Sequence, residues 1–205
     1  QMAAGYSVFA NGGYRVNPYL VTKVTDQMGK VLSEFTPPAL DETNRAIDAR
    51  NAFVMTSLLQ EVTRSGTAAR AQATLKRNDI YGKTGTTNDS MDAWFAGYHP
   101  TLTAVTWIGY DTPRKLGDRE TGGGLSLPVW ISYMQHALQN VPIAEPSVPP
   151  GVSHDSGDWA YTEFSGSAGV NSLGLEGRGS GGGHSATEAL PVNDEKKKIL
   201  DLFKN

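Results

Sequence analysis

The 205-residue sequence contains no cysteine, no excess of positive charge and no long hydrophobic run. Without cysteine, disulfide frameworks, thiolate catalysis and Cys-ligated zinc are excluded, although the cytoplasm and the periplasm are both compatible with that absence. The formal net charge of −3 provides no basic surface for nucleic acid and no polybasic cluster for anionic lipid. No apolar stretch approaches the roughly 20 residues that span a bilayer.

The beginning of the sequence differs from that of a complete protein. Gln1 is not an initiator methionine, and the residues up to Tyr6 lack the basic segment of a signal peptide. We therefore expect the sequence to start inside a longer or processed protein, with any membrane anchor or targeting signal upstream. The four histidines show no metal-binding spacing, so no metal or other cofactor is expected.

Composition divides the chain into two parts. Residues 1–143 carry the hydrophobic patterns of a folded domain, and residues 144–205 are predicted to form an accessory tail that begins with a run of prolines. In the tail, residues 152–164 predict a small hairpin, and residues 165–185 are rich in glycine and serine and are predicted to be flexible. Asn193 can cap a short terminal helix.

Three helices are predicted before the tail. Met2 to Ala10 has the pattern of a helix that glycines terminate. Asp48 is a good N-cap for a second helix, which Ser65-Gly66 would end. Ser126 is predicted to cap a third helix, with proline in its first turn. The buried stripe of this third helix is predicted to be Leu127, Trp130, Ile131, Met134 and Leu138.

Three successive strands are predicted in the middle of the chain, Ile80–Thr87, Ala93–His99 and Leu102–Asp111. Short polar links join them, which indicates antiparallel neighbours. Because both faces of these strands are apolar, helices are needed on both sides of the sheet. A separate hairpin is predicted around the turn Asp26–Gly29. The fold class is therefore α/β (α+β), an antiparallel sheet covered by helices.

The stretch from Gly82 to Thr87, which reads G-K-T-G-T-T, is the most informative motif. Lys-Thr-Gly alone should occur by chance in roughly a few per cent of chains of this size. The residues Gly82-Lys83-Thr84 also match the ending of the phosphate-binding P-loop motif. That motif requires a glycine five residues before Gly82, where this sequence has Arg77, and a helix rather than a strand after it. The P-loop interpretation is therefore rejected.

A strand that bears Lys-Thr-Gly-Thr can do three things beside a serine nucleophile, as in β-lactamases and penicillin-binding proteins. The ammonium and the two hydroxyl groups can hold a substrate carboxylate. Gly85 lets a ligand lie close to the backbone. The amide N–H that follows can point at the oxyanion that develops during acyl transfer.

Residues 82–88 and 92–98 resemble the K-T-G region of bifunctional class A penicillin-binding proteins. The resemblance covers about the first 140 residues, and the closing residues 198–204 are similar to a proteobacterial family tail. Further matching stretches are 2–13, 51–69, 107–111 and 120–134. The resemblance implies a β-lactamase/transpeptidase-like fold with a five-stranded sheet, here as an incomplete copy that lacks two strands and the nucleophile helix.

The resemblance also implies a reaction, cross-linking of peptidoglycan stem peptides by acyl transfer at D-Ala-D-Ala ends, and β-lactam antibiotics as ligands. Lys83 and Thr86 would be catalytic, Lys83 through its charge and Thr86 through its N–H in the oxyanion hole. The hydroxyl groups of Thr84 and Thr86 would bind the substrate carboxylate. Gly85 and Thr87 would also contact the substrate, which would lie along the strand as an added strand.

The sequence departs from the family at the nucleophile. No serine has lysine three residues later or asparagine two residues later. We expect both elements in the missing N-terminal part of the same protein, upstream of Gln1. The chain alone should then be inactive, and a hydrophobic surface should be exposed where the missing part packs. The resemblance also implies an upstream glycosyltransferase domain and an upstream anchor, on the periplasmic face of the bacterial inner membrane.

Other interpretations stay open. The parent protein could be a D,D-carboxypeptidase or a β-lactamase, or the chain could be a non-catalytic module that binds peptidoglycan or β-lactams. Taken singly, Lys83 could be an ordinary solvated lysine, and Trp94 a core residue. Asp89 and Asp92 are explained by turn chemistry. Gly122–Gly124 could border the active site, as the resemblance implies, or could form a loop that needs positive φ.

Overall fold

The structure is a computed structural model that describes residues 1–155 and 157–164. All of these residues belong to one compact unit, Gln1–Gly169. The predicted flexible stretch and the predicted terminal helix of the tail lie outside the described residues. Within the described ranges, no helix is both long enough and apolar enough to cross a membrane.

Four α-helices and seven strands make up the regular structure of the described residues. The helices are α1 Met2–Ala10, α2 Ala49–Arg64, α3 Arg70–Leu75 and α4 Leu127–Ala137. The strands are β1 Lys23–Thr25, β2 Val31–Glu34, β3 Tyr81–Thr86, β4 Ala93–His99, β5 Leu102–Ile108, β6 Val152–Asp155 and β7 Asp158–Tyr161.

The central sheet has the order β3-β4-β5, and both strand pairs are antiparallel, as predicted. In its register Lys83 lies opposite Ala96, and Gly85 lies opposite Trp94. Strand β5 ends earlier than predicted, at Ile108. Within the described part of the chain, β3 and β5 each pair with β4 alone, so one edge of each has no strand partner.

Helices cover both faces of this sheet, which confirms the prediction from its two-sided apolar pattern. One face packs on α3 and α4. Its buried cluster is Ala68, Ala71, Ile80, Phe95, Leu127, Trp130, Ile131, Met134 and Leu138, which contains the whole predicted stripe of α4. On the other face, Tyr81 and Tyr98 stack with ring centroids 5.1 Å apart and pack against α1 and α2.

Two local features differ from prediction. Helix α2 ends at Arg64 with Ser65 as its C-cap, as predicted, but a helix that was not predicted, α3, follows after a short loop with Ala71 fully buried. Ser126 makes no capping hydrogen bond; its buried hydroxyl instead donates to the carbonyl of Ala93 at 2.7 Å. The turn before α4 is a π-helical turn, Gly122–Ser126, and the Thr121 side chain caps it by accepting from an N–H inside the turn.

The first part of the predicted tail contacts α2. Strands β6 and β7 form the predicted hairpin. The Phe53 ring of α2 meets Trp159 of β7 edge to face at 5.0 Å between centroids, and Arg50 pairs with Glu163 at 2.8 Å. The predicted boundary between residues 143 and 144 stays a prediction.

A buried ionic cluster of Arg77, Asp79 and His99 fastens the segment after α4 to the sheet. Arg77 donates two hydrogen bonds to the Asp79 carboxylate, at 2.9 and 2.7 Å. It also donates to the carbonyls of Val141 and Pro142, at 2.6 and 2.9 Å. The Nε2 atom of His99 lies 3.0 Å from Asp79 Oδ2, and neither side chain is exposed.

The protonation of this cluster follows from its surroundings. Burial opposes ionisation of Asp79, but hydrogen bonds from Arg77 and from the Ala144 N–H outweigh it and hold the pKa of this carboxyl below its usual value. Burial lowers the pKa of His99, against the attraction of Asp79. The Thr101 N–H donates to His99 Nδ1 at 3.2 Å, so a neutral His99 carries its proton on Nε2 and donates it to Asp79.

Candidate active site

The K-T-G residues lie together on β3, at the edge of the sheet. Side chains alternate along a strand, so Lys83 and Gly85 share one face, and Thr84 and Thr86 share the other. The first face is the one covered by α1, and the second faces the turn before α4. The structure therefore brings the predicted side chains to one strand. Lys83 leaves it on the opposite face from the two hydroxyl groups, but its ammonium group still lies 3.5 Å from Thr84 Oγ1.

The Lys83 side chain is exposed and turns back along its own strand. Its Nζ donates to the carbonyl of Thr84 at 2.9 Å and lies 3.5 Å from Thr84 Oγ1. Lys83, Gly85 and Trp94 line an open cavity of about 270 Å³, which Met2 and Tyr6 at the start of α1 also line. The ammonium group can therefore reach ligands both in this cavity and beside the Thr84 hydroxyl.

Thr84 has a partner that the sequence did not indicate. The hydroxyl oxygen atoms of Thr84 and Thr67 are 2.8 Å apart, and Thr67 belongs to the loop between α2 and α3. Two things hold this loop in place. The next residue, Ala68, is fully buried, and its N–H donates to the carbonyl of Val62 at 3.0 Å. The only sequence signal for Thr67 was its position within the matching stretch 51–69.

Thr86 is held from the turn before α4. The N–H of Gly122 donates to Thr86 Oγ1 at 3.1 Å. A Cβ atom on Gly122 would lie 2.2 Å from the carbonyl oxygen of Trp94 and 2.5 Å from that of Gly85. Gly122 through Gly124 have no positive φ, so of the two interpretations of these glycines, the loop that needs positive φ was wrong. At Gly122 the reason is the close approach of the turn to the face of the sheet.

The polar groups of Thr87 are hydrogen-bonded within the turn that joins β3 to β4. The backbone N–H of Asp92 donates to Thr87 Oγ1 at 2.8 Å, and the Thr87 N–H donates to the carbonyl of Asp92 at 3.2 Å. Asp92 also accepts from the indole N–H of Trp107 at 2.8 Å. These contacts support the interpretation of Asp92 as a turn residue, while the role of Thr87 toward a substrate stays a prediction.

Chemically, this arrangement can bind an anion, but it contains no serine that could attack a carbonyl carbon. It offers one ammonium group, next to Thr84 of its own strand, and two hydroxyl groups that each have a neighbour in another segment. No serine of the sequence has the S-x-x-K pattern. In the described part of the chain, no group of three or more His, Cys, Asp or Glu side chains is arranged to hold a metal ion.

Comparisons with known proteins show which proteins this chain is similar to. Residues 1–131 match the family described as the penicillin binding protein transpeptidase domain. The chain is 43% identical over 159 residues to penicillin-binding protein 1A of Neisseria flavescens, covering 77% of this chain and 20% of that protein. It is 39% identical to penicillin-binding protein 1A of Pseudomonas aeruginosa, covering 74% of this chain and 24% of that protein.

A solved structure shows the same relationship. The crystal structure of penicillin-binding protein 1A from Haemophilus influenzae superposes with a TM-score of 0.67 at 33% identity, covering 74% of this chain and 28% of that one. This chain thus spans 20% to 24% of the length of the two curated relatives compared above.

Proposed function

This chain belongs to the family of penicillin-binding protein transpeptidase domains. We propose that its strand β3, which carries Lys83 to Thr86, forms one wall of a serine transpeptidase active site, the K-T-G wall. Family membership confirms the resemblance of residues 82–88 and 92–98 and, with the structural neighbour, the predicted fold class. In the proposed reaction a serine attacks the D-Ala-D-Ala end of a stem peptide and D-alanine leaves. The amine of a second stem peptide then resolves the acyl-enzyme and cross-links the two.

The observation that carries this proposal is the pair of oriented hydroxyl groups on β3. Thr86 Oγ1 accepts a hydrogen bond from Gly122 N–H, so its own proton is free to donate to a ligand. Thr84 is two residues away on the same face, next to the Lys83 ammonium. Two hydroxyl donors and a cation suit the terminal carboxylate of a D-Ala-D-Ala peptide or the carboxylate of a β-lactam.

The remaining roles follow from the backbone of β3. This strand has a neighbour on one side only among the described residues, and a peptide can add to such an edge as another strand. Gly85 has no side chain to obstruct the peptide. The Thr86 N–H would donate to the oxyanion of the tetrahedral intermediate. Lys83 would stabilise negative charge and support proton transfer, and Thr87 would border the substrate.

The nucleophile must come from residues outside this sequence. We propose that a first part of the transpeptidase domain supplies the S-x-x-K serine and the S-x-N residues and packs against this chain. The proposed location is the periplasmic face of the bacterial inner membrane, reached through an upstream anchor. The proposed ligands are stem peptides and β-lactams, and the reaction needs no cofactor, because serine acyl transfer proceeds with side chains alone.

The test is a chimera that contains the missing serine. The 159-residue stretch of this chain that matches penicillin-binding protein 1A of Neisseria flavescens replaces the corresponding segment of that protein. The chimera should be labelled covalently by a fluorescent penicillin. Lys83→Ala should slow labelling by about 100-fold or more, as expected for the loss of a preorganised active-site charge.

Lys30→Ala is the matched control, because Lys30 lies at the turn between β1 and β2 and outside the proposed site. It should label at the unmodified rate. An unlabelled chimera that is folded by circular dichroism would refute the proposed function. Equal labelling rates for Lys83→Ala and the unmodified chimera would refute the role of Lys83.

One other function is favoured by a specific observation. Since no serine here has the S-x-x-K pattern, the chain could act as a non-catalytic module that binds D-Ala-D-Ala ends or β-lactams. That function predicts saturable, reversible binding of an acetylated D-Ala-D-Ala peptide to the chain alone, detected by calorimetry, without covalent labelling. Absence of binding to the chain, together with labelling of the chimera, would exclude it.

A further inference from the structure

Thr67 contacts the K-T-G strand from a different segment of the chain and has no role in the proposed reaction so far. Its Oγ1 lies 2.8 Å from Thr84 Oγ1. We propose that Thr67 is a positioning residue that directs the Thr84 hydroxyl proton at the carboxylate of the substrate. It would thereby determine the selectivity of the site for free carboxylates over esters. This inference rests on the proposed function of the K-T-G wall.

The hydrogen-bonding capacity of a hydroxyl group supports this role. A hydroxyl has one proton to donate and two lone pairs to accept with. Near Thr84 Oγ1 stand the Lys83 ammonium at 3.5 Å, which can only donate, and the Thr67 hydroxyl at 2.8 Å. When both donate to Thr84, its lone pairs are occupied and its proton must go elsewhere. The carboxylate of the bound substrate is then the acceptor for the Thr84 proton.

A bound anion also decides which threonine donates to the other. Hydrogen bonds to a charged acceptor are roughly twice as strong as those between neutral groups. The Thr84 proton therefore turns to the carboxylate, and Thr67 becomes the donor to Thr84. Without the Thr67 hydroxyl, one lone pair of Thr84 loses its donor and the orientation of the Thr84 proton is no longer enforced.

Thr86 shows the same arrangement with a different donor. Gly122 N–H donates to Thr86 Oγ1 at 3.1 Å, which leaves the Thr86 proton free. Thr84 and Thr86 are about 7 Å apart along the strand, so their hydroxyl groups can bracket one carboxylate from two sides. Each thus has its own donor behind it, Thr67 in one case and Gly122 in the other.

The position of Thr67 is restricted by its neighbours. Gly66 precedes it, and a Cβ atom there would lie 2.9 Å from Val62 Cα, so the loop runs tightly past the end of α2. On the other side, a Cβ atom on Gly123 would lie 3.2 Å from the Thr67 carbonyl oxygen. The Thr67 hydroxyl is therefore presented by packed backbone.

The experiment compares two acylating agents on the chimera described above, benzylpenicillin and its uncharged methyl ester. Thr67→Val removes the hydroxyl and keeps the shape of the side chain. It should lower the acylation rate constant for benzylpenicillin by about fivefold to tenfold, the loss expected for one hydrogen bond, and leave the rate for the ester unchanged. Thr67→Ser, which keeps the hydroxyl, should restore the rate for the acid.

A double-mutant cycle isolates the path of the effect. If Thr67 acts through Thr84, then Thr67→Val adds nothing to Thr84→Val, because the hydroxyl that it orients is already gone. An equal loss for acid and ester, or additive effects in the cycle, would overturn the inference and leave a structural role. An unchanged acid-to-ester ratio in Thr67→Val would overturn it as well.

These results are distinct from failure of the proposed function. If the unmodified chimera reacts with neither compound, the K-T-G wall is wrong and the role of Thr67 is wrong with it. If the unmodified chimera reacts and only the Thr67 comparison fails, the proposed function stands alone. Melting temperatures of both Thr67 variants, measured by circular dichroism, check that each is folded before rates are compared.

Discussion

Replacing Gly122 with alanine is predicted to push the turn before α4 away from the K-T-G strand. The added Cβ atom would lie 2.2 Å from the Trp94 carbonyl oxygen and 2.5 Å from that of Gly85. Both neighbours are backbone atoms of paired strands, so neither can rotate away as a side chain could. To reach an ordinary contact distance, the turn must move by about 1 Å, since close-packed interiors leave no slack.

The cost has two parts. Overpacking of this kind costs about 1–3 kcal/mol. The same movement stretches the bond from Gly122 N–H to Thr86 Oγ1, now 3.1 Å, and a lost hydrogen bond costs about 0.5–1.5 kcal/mol. Together we expect a loss of about 2–4 kcal/mol in the free energy of unfolding, which lowers the melting temperature.

The assay measures the melting temperature and the rate of penicillin labelling in the chimera. Gly122→Ala should lower both, because Thr86 loses its fixed donor. Gly124→Ala is the matched control in the same turn, since its Cβ atom would have only Thr121 Oγ1 nearby, at 3.4 Å. It should change neither quantity by much. If Gly122→Ala and Gly124→Ala have the same melting temperature and the same labelling rate, the close approach of Gly122 to the sheet does not position Thr86, and the reasoning is refuted.

Three further predictions concern the rest of the chain. The 205-residue chain alone should not be labelled by penicillin and should be marginally stable or prone to aggregate; a labelled band, or a reversible cooperative melt of a soluble monomer, would contradict this. The pKa values of His99 and Asp79 are both lower in the folded protein than in the unfolded one. Stability should therefore decrease as the pH is lowered, below about pH 6.5 because His99 resists protonation and below about pH 4 because Asp79 does. In urea unfolding of the chimera, His99→Gln should reduce the loss of stability that begins at about pH 6.5. An unaltered pH dependence would refute this role of His99. Phe53→Ala should free Trp159 from its 5.0 Å ring contact and shift the indole fluorescence to the red; an unshifted spectrum would speak against the contact.

Hydrophobic periodicity was sufficient for the elements that bury one face or both. Strand β4 has the predicted bounds, and the stripe of α4 is buried as predicted. These elements repeat every 3.6 or 2 residues because their neighbours lie along a continuous surface, so the sequence records which side is covered. The K-T-G motif was recognised from its residue types instead, which was possible because its residues are consecutive on one strand.

Short and irregular segments escaped this reasoning. Helix α3 has six residues, too few for a periodic pattern to stand out, and its burial rests largely on Ala71. Ser126 has the residue type of a helix cap, and that property predicted a cap. Its hydroxyl bonds to Ala93 instead, because the π-helical turn runs directly into α4, so Ser126 has helical backbone angles and lies against β4.

The sequence by itself determined the family, the sheet with its covering helices, and the strand that carries the site. Tertiary packing alone decided how the site is oriented. Thr67 meets Thr84 across 17 residues, and Gly122 reaches Thr86 across 36. Such a hydrogen bond depends on where two elements come to rest against a common core. A single threonine or glycine in the sequence does not reveal this position, because the same residue with the same local neighbours is equally compatible with a solvent-exposed loop.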